Sequence, residues 1–298
     1  MEIGFCGTGR MGTAIVQRLI DQGNHVAVWN RSTEKATPLL ERGARWAESP
    51  TALAATHDIL ITILTDAPAI NTVYSGPQGL LSDNVEGKLF IDMSTVTPDT
   101  TRSLAAHVGA RGAALVECPV GGSVGPAREG KLLGMAGGDA AAFARARPIL
   151  EQLCRRVEYL GSNGAGATMK LAINLPLIVY WETLGEALSL VRDIGIAPAK
   201  LLEIMSESPG GTNALKIRAP KIAAALKGGT PEVGFTVDGM RKDLGAMLDL
   251  ARSLGVELPA AVQALESYDA AAKEGLGGHD GSSFIAWRVA TAKMPPAR

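Results

Sequence analysis

At position 7 the chain enters Gly7-Thr8-Gly9-Arg10-Met11-Gly12, a G-x-G-x-x-G string. Among 35 glycines in 298 residues such a string can arise by chance. Its setting carries the weight. The apolar run Ile3–Cys6 precedes it, and the amphipathic stretch Met11–Gln22 follows. A strand turning straight into a helix needs one glycine for the turn and a second where backbone approaches a ligand. A third lets helix and strand pack closely. The N–H groups at the helix start have no intrahelical acceptor, and a pyrophosphate satisfies them. The alternative is a plain glycine-rich turn, in which the flanking elements would be incidental. The setting favours a dinucleotide cradle built from Gly7, Thr8, Gly9, Arg10, Met11 and Gly12.

The rest of the first half continues the pattern. Ile3–Cys6, His25–Trp29, Ile59–Leu64, Leu89–Met93 and Ala114–Glu117 read as strands. Met11–Gln22, Thr33–Arg42, Thr51–Ala55, Pro68–Tyr74 and Thr97–Ala110 read as helices between them, and Gly130–Gly138 and Val157–Leu160 could add strands. Regular alternation of strand and helix means βαβ units and a largely parallel sheet. From about Gly164 helical periodicity takes over. Ala165–Arg192 reads as one long helix, kinked at Pro176 and stopped by Gly195 and Pro198. Pro198–Met205, Asn213–Leu226, Val237–Leu254, Ala260–Lys273 and Ser282–Thr291 complete a helical set. The fold class is therefore α/β: a Rossmann-type doubly wound parallel sheet over residues 1–162, followed by an all-helical domain over 163–298. The long helix, about 165–192, stands at the join.

The end of the second strand bears on the cofactor. An NAD-specific site carries an acid about 20 residues past the glycines, to bind the ribose 2′-hydroxyl. Here the chain reads Val28-Trp29-Asn30-Arg31-Ser32-Thr33. With no carboxylate to repel a 2′-phosphate, Arg31 can offer it a charged donor fork, and Asn30 and Ser32 neutral hydrogen bonds. The alternative is a solvated surface arginine. NADPH is expected in preference to NADH.

A formal net charge of −1 gives no basic excess for nucleic acid or an anionic membrane. Cys6, Cys118 and Cys154 fit no zinc spacing and cannot all pair, which points to a reducing compartment. The N-terminus opens on a strand-like segment without a basic, then apolar, leader, and Leu171–Trp181 is too short to span a bilayer. A cytoplasmic protein without metal is expected.

Four further segments, in order, resemble the 3-hydroxyisobutyrate dehydrogenase, or β-hydroxyacid dehydrogenase, family over nearly the whole chain. That family includes glyoxylate/succinic semialdehyde, tartronate semialdehyde and sulfolactaldehyde reductases. Asp92-Met93-Ser94-Thr95-Val96-Thr97-Pro98 is similar to its D-x-S-T-x-x-P element. This implies Thr95 beside the nicotinamide ribose and Ser94 near substrate, although Ser-Thr could equally cap the next helix. Leu64, closing the strand Ile59–Leu64, joins the implied cofactor set.

Glu117-Cys118-Pro119-Val120-Gly121-Gly122-Ser123 is similar to the family's D-A-P-V-S-G-G substrate loop. Gly121 stands where the family has serine, and the hydroxyl comes two places later, at Ser123. Gly121, Gly122 and Ser123 are the expected holders of the substrate's acid group, since amides of a glycine-rich turn can form an anion nest. Met240-Arg241-Lys242-Asp243-Leu244 is similar to the K-D-L element, which implies that Lys242 reaches over the cofactor in a cleft between domains. Gly278-His279-Asp280-Gly281-Ser282 resembles a further turn, structural or bordering the active site, with His279 at the surface.

The chemistry falls to Gly164-Ala165-Gly166-Ala167-Thr168-Met169-Lys170-Leu171-Ala172-Ile173-Asn174, which matches the family's G-x-G-x-x-x-K-x-x-x-N. Four residues apart on a helix, Lys170 and Asn174 share a face one turn apart. Carbonyl reduction needs a proton donor within reach of the oxygen that becomes an alkoxide. Lys170 can be that donor, and Asn174 can bind a substrate hydroxyl or hold the lysine. A solvated lysine is the commoner fate, but this one opens an apolar segment. The expected activity is NADP(H)-linked interconversion of a small acidic hydroxyacid and its aldehyde or ketone. An imine reductase, usually with Asp or Tyr where Lys170 stands, and a non-catalytic NADPH-binding protein are the competing readings. The resemblance and the apolar helical faces imply a homodimer or homotetramer.

Overall fold

The structure is a computed structural model that describes residues 1–292. The chain divides into two compact units, Met1–Ala172 and a second from Ile173 onward, so the division falls inside the long helix.

The strands of the first unit are β1 (Glu2–Cys6), β2 (His25–Trp29), β3 (Arg45–Trp46), β4 (Ile59–Thr62), β5 (Leu89–Asp92) and β6 (Ala114–Glu117). They continue with β7 (Val120–Gly121), β8 (Leu132–Gly138) and β9 (Cys154–Tyr159). The sheet runs β3-β2-β1-β4-β5-β6-β8-β7, with β9 also paired to β8. The first six are parallel and follow the 3-2-1-4-5-6 order of dinucleotide-binding sheets. β8 runs antiparallel to β6, with Glu117 opposite Gly137.

The apolar runs are continuous because both faces of the sheet are covered. Ile61, Ile91 and Val116 point into one core, packed by α1 (Arg10–Asp21) through Ile15, Val16 and Leu19. Leu60, Phe90 and Leu115 point into the other, beneath α3 (Pro50–Thr56), α4 (Ala67–Ser75) and α5 (Pro98–Gly109). Between α1 and α3 the sequence predicts one helix, Thr33–Arg42. A 3-10 turn over Thr33–Ala36 and the short α2 (Thr37–Leu40) take its place. The sequence pattern announces neither α6 (Val124–Arg128) nor α7 (Ala140–Leu153). Alanines give α7 a weak pattern and Pro148 interrupts it. Asp139 starts the helix by accepting from Ala141 and Ala142 N–H at 2.9 and 3.1 Å. Cys6, Cys118 and Cys154 are all free thiols buried in this unit.

The helices that follow are α8 (Ala165–Leu190), α9 (Pro198–Glu207), α10 (Asn213–Leu226), α11 (Val237–Leu254), α12 (Pro259–Ala271) and α13 (Gly281–Thr291). In the second unit Tyr268 stacks on Phe284 at 3.8 Å between ring centroids, and its hydroxyl donates to the Ile178 carbonyl at 3.1 Å. Asp280 ties three segments together. It accepts from Gly234 and Phe235 N–H, Ser282 N–H and hydroxyl, and Arg218. Burial pushes its carboxyl up, but these donors outweigh that and hold it below the ordinary value. The turn is thus structural, and His279 is exposed. Among the described residues no helix is long and apolar enough to cross a membrane.

Candidate active site

In a doubly wound sheet the carboxyl ends of the strands carry the ligand. Gly7, following β1, has φ +102°, a left-handed backbone that a side chain would strain, and a methyl there would collide with the Ile63 carbonyl oxygen. A methyl on Gly12 would collide with the carbonyl oxygen of Gly7. Gly9 differs: a methyl there would meet nothing within 4 Å. The protein's own packing does not require glycine at this position, whereas close approach of a pyrophosphate does.

Two further observations fit that group. No side chain caps the start of α1, so its first N–H groups are open to an anion. The Thr8 hydroxyl is buried without a hydrogen-bond partner among the described residues. The loop is braced from β2, where Asn30 Oδ1 accepts from Thr8 N–H at 3.0 Å and Asn30 Nδ2 donates to Ser32 O at 2.9 Å. Asn30 is therefore spent largely on shaping the loop. Arg31 is exposed and forms no ion pair among the described residues.

At the ends of the central strands the register sets Thr62 beside Asp92 and Asp92 beside Glu117. Asp92 Oδ1 accepts from Thr62 Oγ1 at 2.6 Å and Ser94 Oγ at 2.7 Å. Ser94 Oγ also accepts from Leu64 N–H at 2.8 Å. Ser94 and Leu64, expected at the ligands, thus hold each other at the strand ends, with the serine hydroxyl committed to Asp92. Burial pushes the Asp92 carboxyl up further than the hydroxyls of Thr62 and Ser94 pull it down. Thr95 follows, half-buried.

Glu117 closes β6 and is 1% exposed. Its carboxylate faces the first turn of α8. Oε1 accepts from Gly164 N–H and, at 3.0 Å, from Gly166 N–H; Oε2 accepts from Ala167 N–H at 3.1 Å. Burial raises its pKa, the three amides lower it, the Asp92 charge raises it again, and the balance is upward. Lys170 lies three residues beyond Ala167, so about 5 Å further along the helix. It is 8% exposed. On the other side Glu117 leads into Gly121, Gly122 and Ser123. Gly122 has φ +132°, and a methyl there would lie 2.7 Å from Leu132 Cδ2. Gly121 is unconstrained: a methyl would come no nearer than 3.6 Å, to Leu133.

Asn174, one turn past Lys170 on α8, belongs to the second unit. Its Nδ2 donates to Asp243 Oδ2 at 2.9 Å, and both residues are buried. Lys242, half-exposed, stands 3.0 Å from the other Asp243 oxygen. Sequence reasoning missed Asp92, Glu117 and Asp243 as site residues. The first two carried a signal, each being a carboxylate that ends an otherwise apolar strand.

An uncapped helix start behind a glycine turn, at the carboxyl edge of a 3-2-1-4-5-6 sheet, defines a dinucleotide-binding domain. The NAD binding domain of 6-phosphogluconate dehydrogenase matches residues 2–161, and the NAD-binding domain of NADP-dependent 3-hydroxyisobutyrate dehydrogenase matches residues 164–288. The chain belongs to the 3-hydroxyisobutyrate dehydrogenase family. It is 36% identical to 3-hydroxyisobutyrate dehydrogenase of Pseudomonas aeruginosa over 87% of this chain and 88% of that one. It is 34% identical to glyoxylate/succinic semialdehyde reductase 1 of Arabidopsis thaliana over 96% and 97%. The solved structure of 3-hydroxyisobutyrate dehydrogenase of Mycobacterium tuberculosis with L-serine superimposes with a TM-score of 0.81 at 28% identity, over 95% of this chain and 97% of that one.

Proposed function

We propose that this chain interconverts a small acidic 3-hydroxyacid, or a related hydroxyacid, and its aldehyde or ketone, preferring NADP(H), with Lys170 as proton donor and acceptor. The observation that carries the reading is the burial of Lys170, in the first turns of a helix fastened to the carboxyl edge of the sheet. The nicotinamide, when bound, supplies or accepts the hydride. Gly7, Thr8, Gly9, Arg10, Met11 and Gly12 hold the pyrophosphate on open amides. Arg31, with Asn30 and Ser32 beside it, takes the 2′-phosphate. Thr95, Leu64 and Lys242 complete the cofactor's surroundings.

In the reducing direction Lys170 gives a proton to the carbonyl oxygen as the carbon gains hydride. Before transfer its charge stabilises the negative oxygen. In the oxidising direction neutral Lys170 takes the hydroxyl proton. Asn174, steadied by Asp243, donates to a substrate oxygen. Gly121, Gly122 and Ser123 receive the acid group through amides and the Ser123 hydroxyl, and Ser94, two residues past the end of β5, completes the substrate set. The relatives' names supply the first compounds to try: glyoxylate, succinic semialdehyde and 3-hydroxyisobutyrate. A cytoplasmic homo-oligomer completes the reading, supported by exposed Leu190, Ile194, Ile204 and Ile217 on the helical unit.

The test is a substrate panel with NADPH or NADP, followed at the nicotinamide absorbance band. Lys170→Ala should lower kcat about 10²- to 10⁴-fold, the share typical of a positioned acid or base, with NADPH affinity within a few-fold of wild type. Undiminished turnover by that variant removes the mechanism.

A further inference from the structure

Glu117 carries no expected role in binding ligand, yet the fold is shaped around it. It ends β6, opposite Gly137 of the antiparallel β8. A methyl on Gly137 would run into Glu117 Oε1 and lie 2.8 Å from the Ser162 carbonyl oxygen. A methyl on Gly166 would lie 3.2 Å from the Glu117 carboxyl carbon and collide with the Met135 carbonyl oxygen. Two glycines from separate elements thus leave the space this side chain fills. Within that space both carboxyl oxygens are used, and all three donors are backbone N–H groups at the start of α8. Four unpaired N–H groups at a helix start normally meet solvent or a neighbouring side chain. Here a buried acid from a strand 47 to 50 residues earlier takes three of them.

This carboxyl group connects two parts of the site that are far apart in sequence. Behind Glu117, the Cys118–Ser123 segment runs directly from the same strand end. Ahead of it, Lys170 follows within one helical turn of the bonded amides. We infer that Glu117 is a positioning residue: it sets the distance and direction between the Lys170 ammonium and the Gly121–Ser123 loop by pinning the helix start to the end of β6. The inference rests on the reading of Lys170 as the proton carrier. A misplacement of about 1 Å in a reacting geometry costs on the order of 10²-fold in rate, so a three-bond anchor one turn away is a sensitive control point.

Glu117→Gln keeps the volume and one carbonyl oxygen but sets an N–H₂ group against the Ala167 N–H. Glu117→Asp keeps the acid but withdraws it by one methylene. Both are measured beside Lys170→Ala on the full chain, for kcat, KM, NADPH dissociation constant, melting temperature and amide exchange at Gly166 and Ala167. The expected result is a kcat reduced about tenfold or more in Glu117→Gln, with NADPH affinity within about twofold and faster exchange at those two amides. Glu117→Asp should recover part of the lost kcat.

Wild-type kcat in Glu117→Gln, while Lys170→Ala is inactive, overturns the positioning role and leaves the lysine mechanism standing. A fall in kcat matched by equal losses of NADPH affinity and melting temperature also overturns it, since it reports general damage to the fold. Turnover retained in Lys170→Ala overturns the underlying reading and the positioning role with it.

Discussion

The two glycine-rich loops at the carboxyl edge of the sheet obey different rules. In the first, Gly7 and Gly12 are dictated by the protein's own backbone, while a methyl on Gly9 would meet nothing within 4 Å. In the second, Gly122 is held by its positive φ, but Gly121 has ordinary room around it and would accept a side chain. Two of the first loop's three motif glycines are thus a steric necessity of the fold itself. In the second, proposed to receive the substrate's acid group, the fold leaves position 121 open to choice.

The sharpest way to break the contrast is Gly12→Ala. A methyl against the Gly7 carbonyl forces the loop apart, and NADPH affinity should fall about 100-fold, read by quenching of protein fluorescence. A near-normal dissociation constant would mean that the loop is not rigid. Arg31→Ala comes next. Loss of charged hydrogen bonds to the 2′-phosphate should raise KM for NADPH about 10- to 100-fold and leave KM for NADH almost unchanged; equal changes would dispose of the NADPH preference.

Gly121→Ser tests the permissive loop and should alter kcat/KM between acids by only about two- to fivefold, with melting temperature and NADPH binding unaffected. A collapse in stability would contradict the free space seen there. The smallest effect belongs to Asp92, between the loops. Its folded pKa is raised, so its contribution is full below the unfolded value and is lost as pH rises through the folded one. Asp92→Asn, which still accepts from Thr62 and Ser94, should therefore melt a few degrees above wild type at pH 8. That gap should close on acidification, and a gap that widens toward acid would reverse the assignment.

Much of the architecture was legible because burial on both faces makes strands such as Ile59–Thr62 nearly continuous apolar runs, and helices such as Val237–Leu254 keep clean periodicity. The two-residue strands β3 and β7 were not, since pairing with a neighbour alone makes them strands. The alanine-rich α7 was hidden by Pro148. At the site, the glycine string and the shared helix face of Lys170 and Asn174 could be read from local spacing, whereas the roles proposed for them came with the family resemblance. The roles of Asp92 and Glu117 could not: Asp92 depends on strand register with Thr62, 30 residues back, and Glu117 on amides 47 to 50 residues ahead. Asp243 meets Asn174 across 69 residues, a pairing that no local pattern announces.

All three thiols sit in the nucleotide-binding unit, one of them directly before Gly7 and another three residues before Gly121. Burial pushes every one of them up, Cys154 to about 12. A thiol that is both sealed and protonated reacts with an alkylating reagent only when its surroundings open. The chain therefore carries its own stopwatch: the rate at which iodoacetamide consumes these sulfurs measures how often this unit breathes, and tight dinucleotide binding should slow the count.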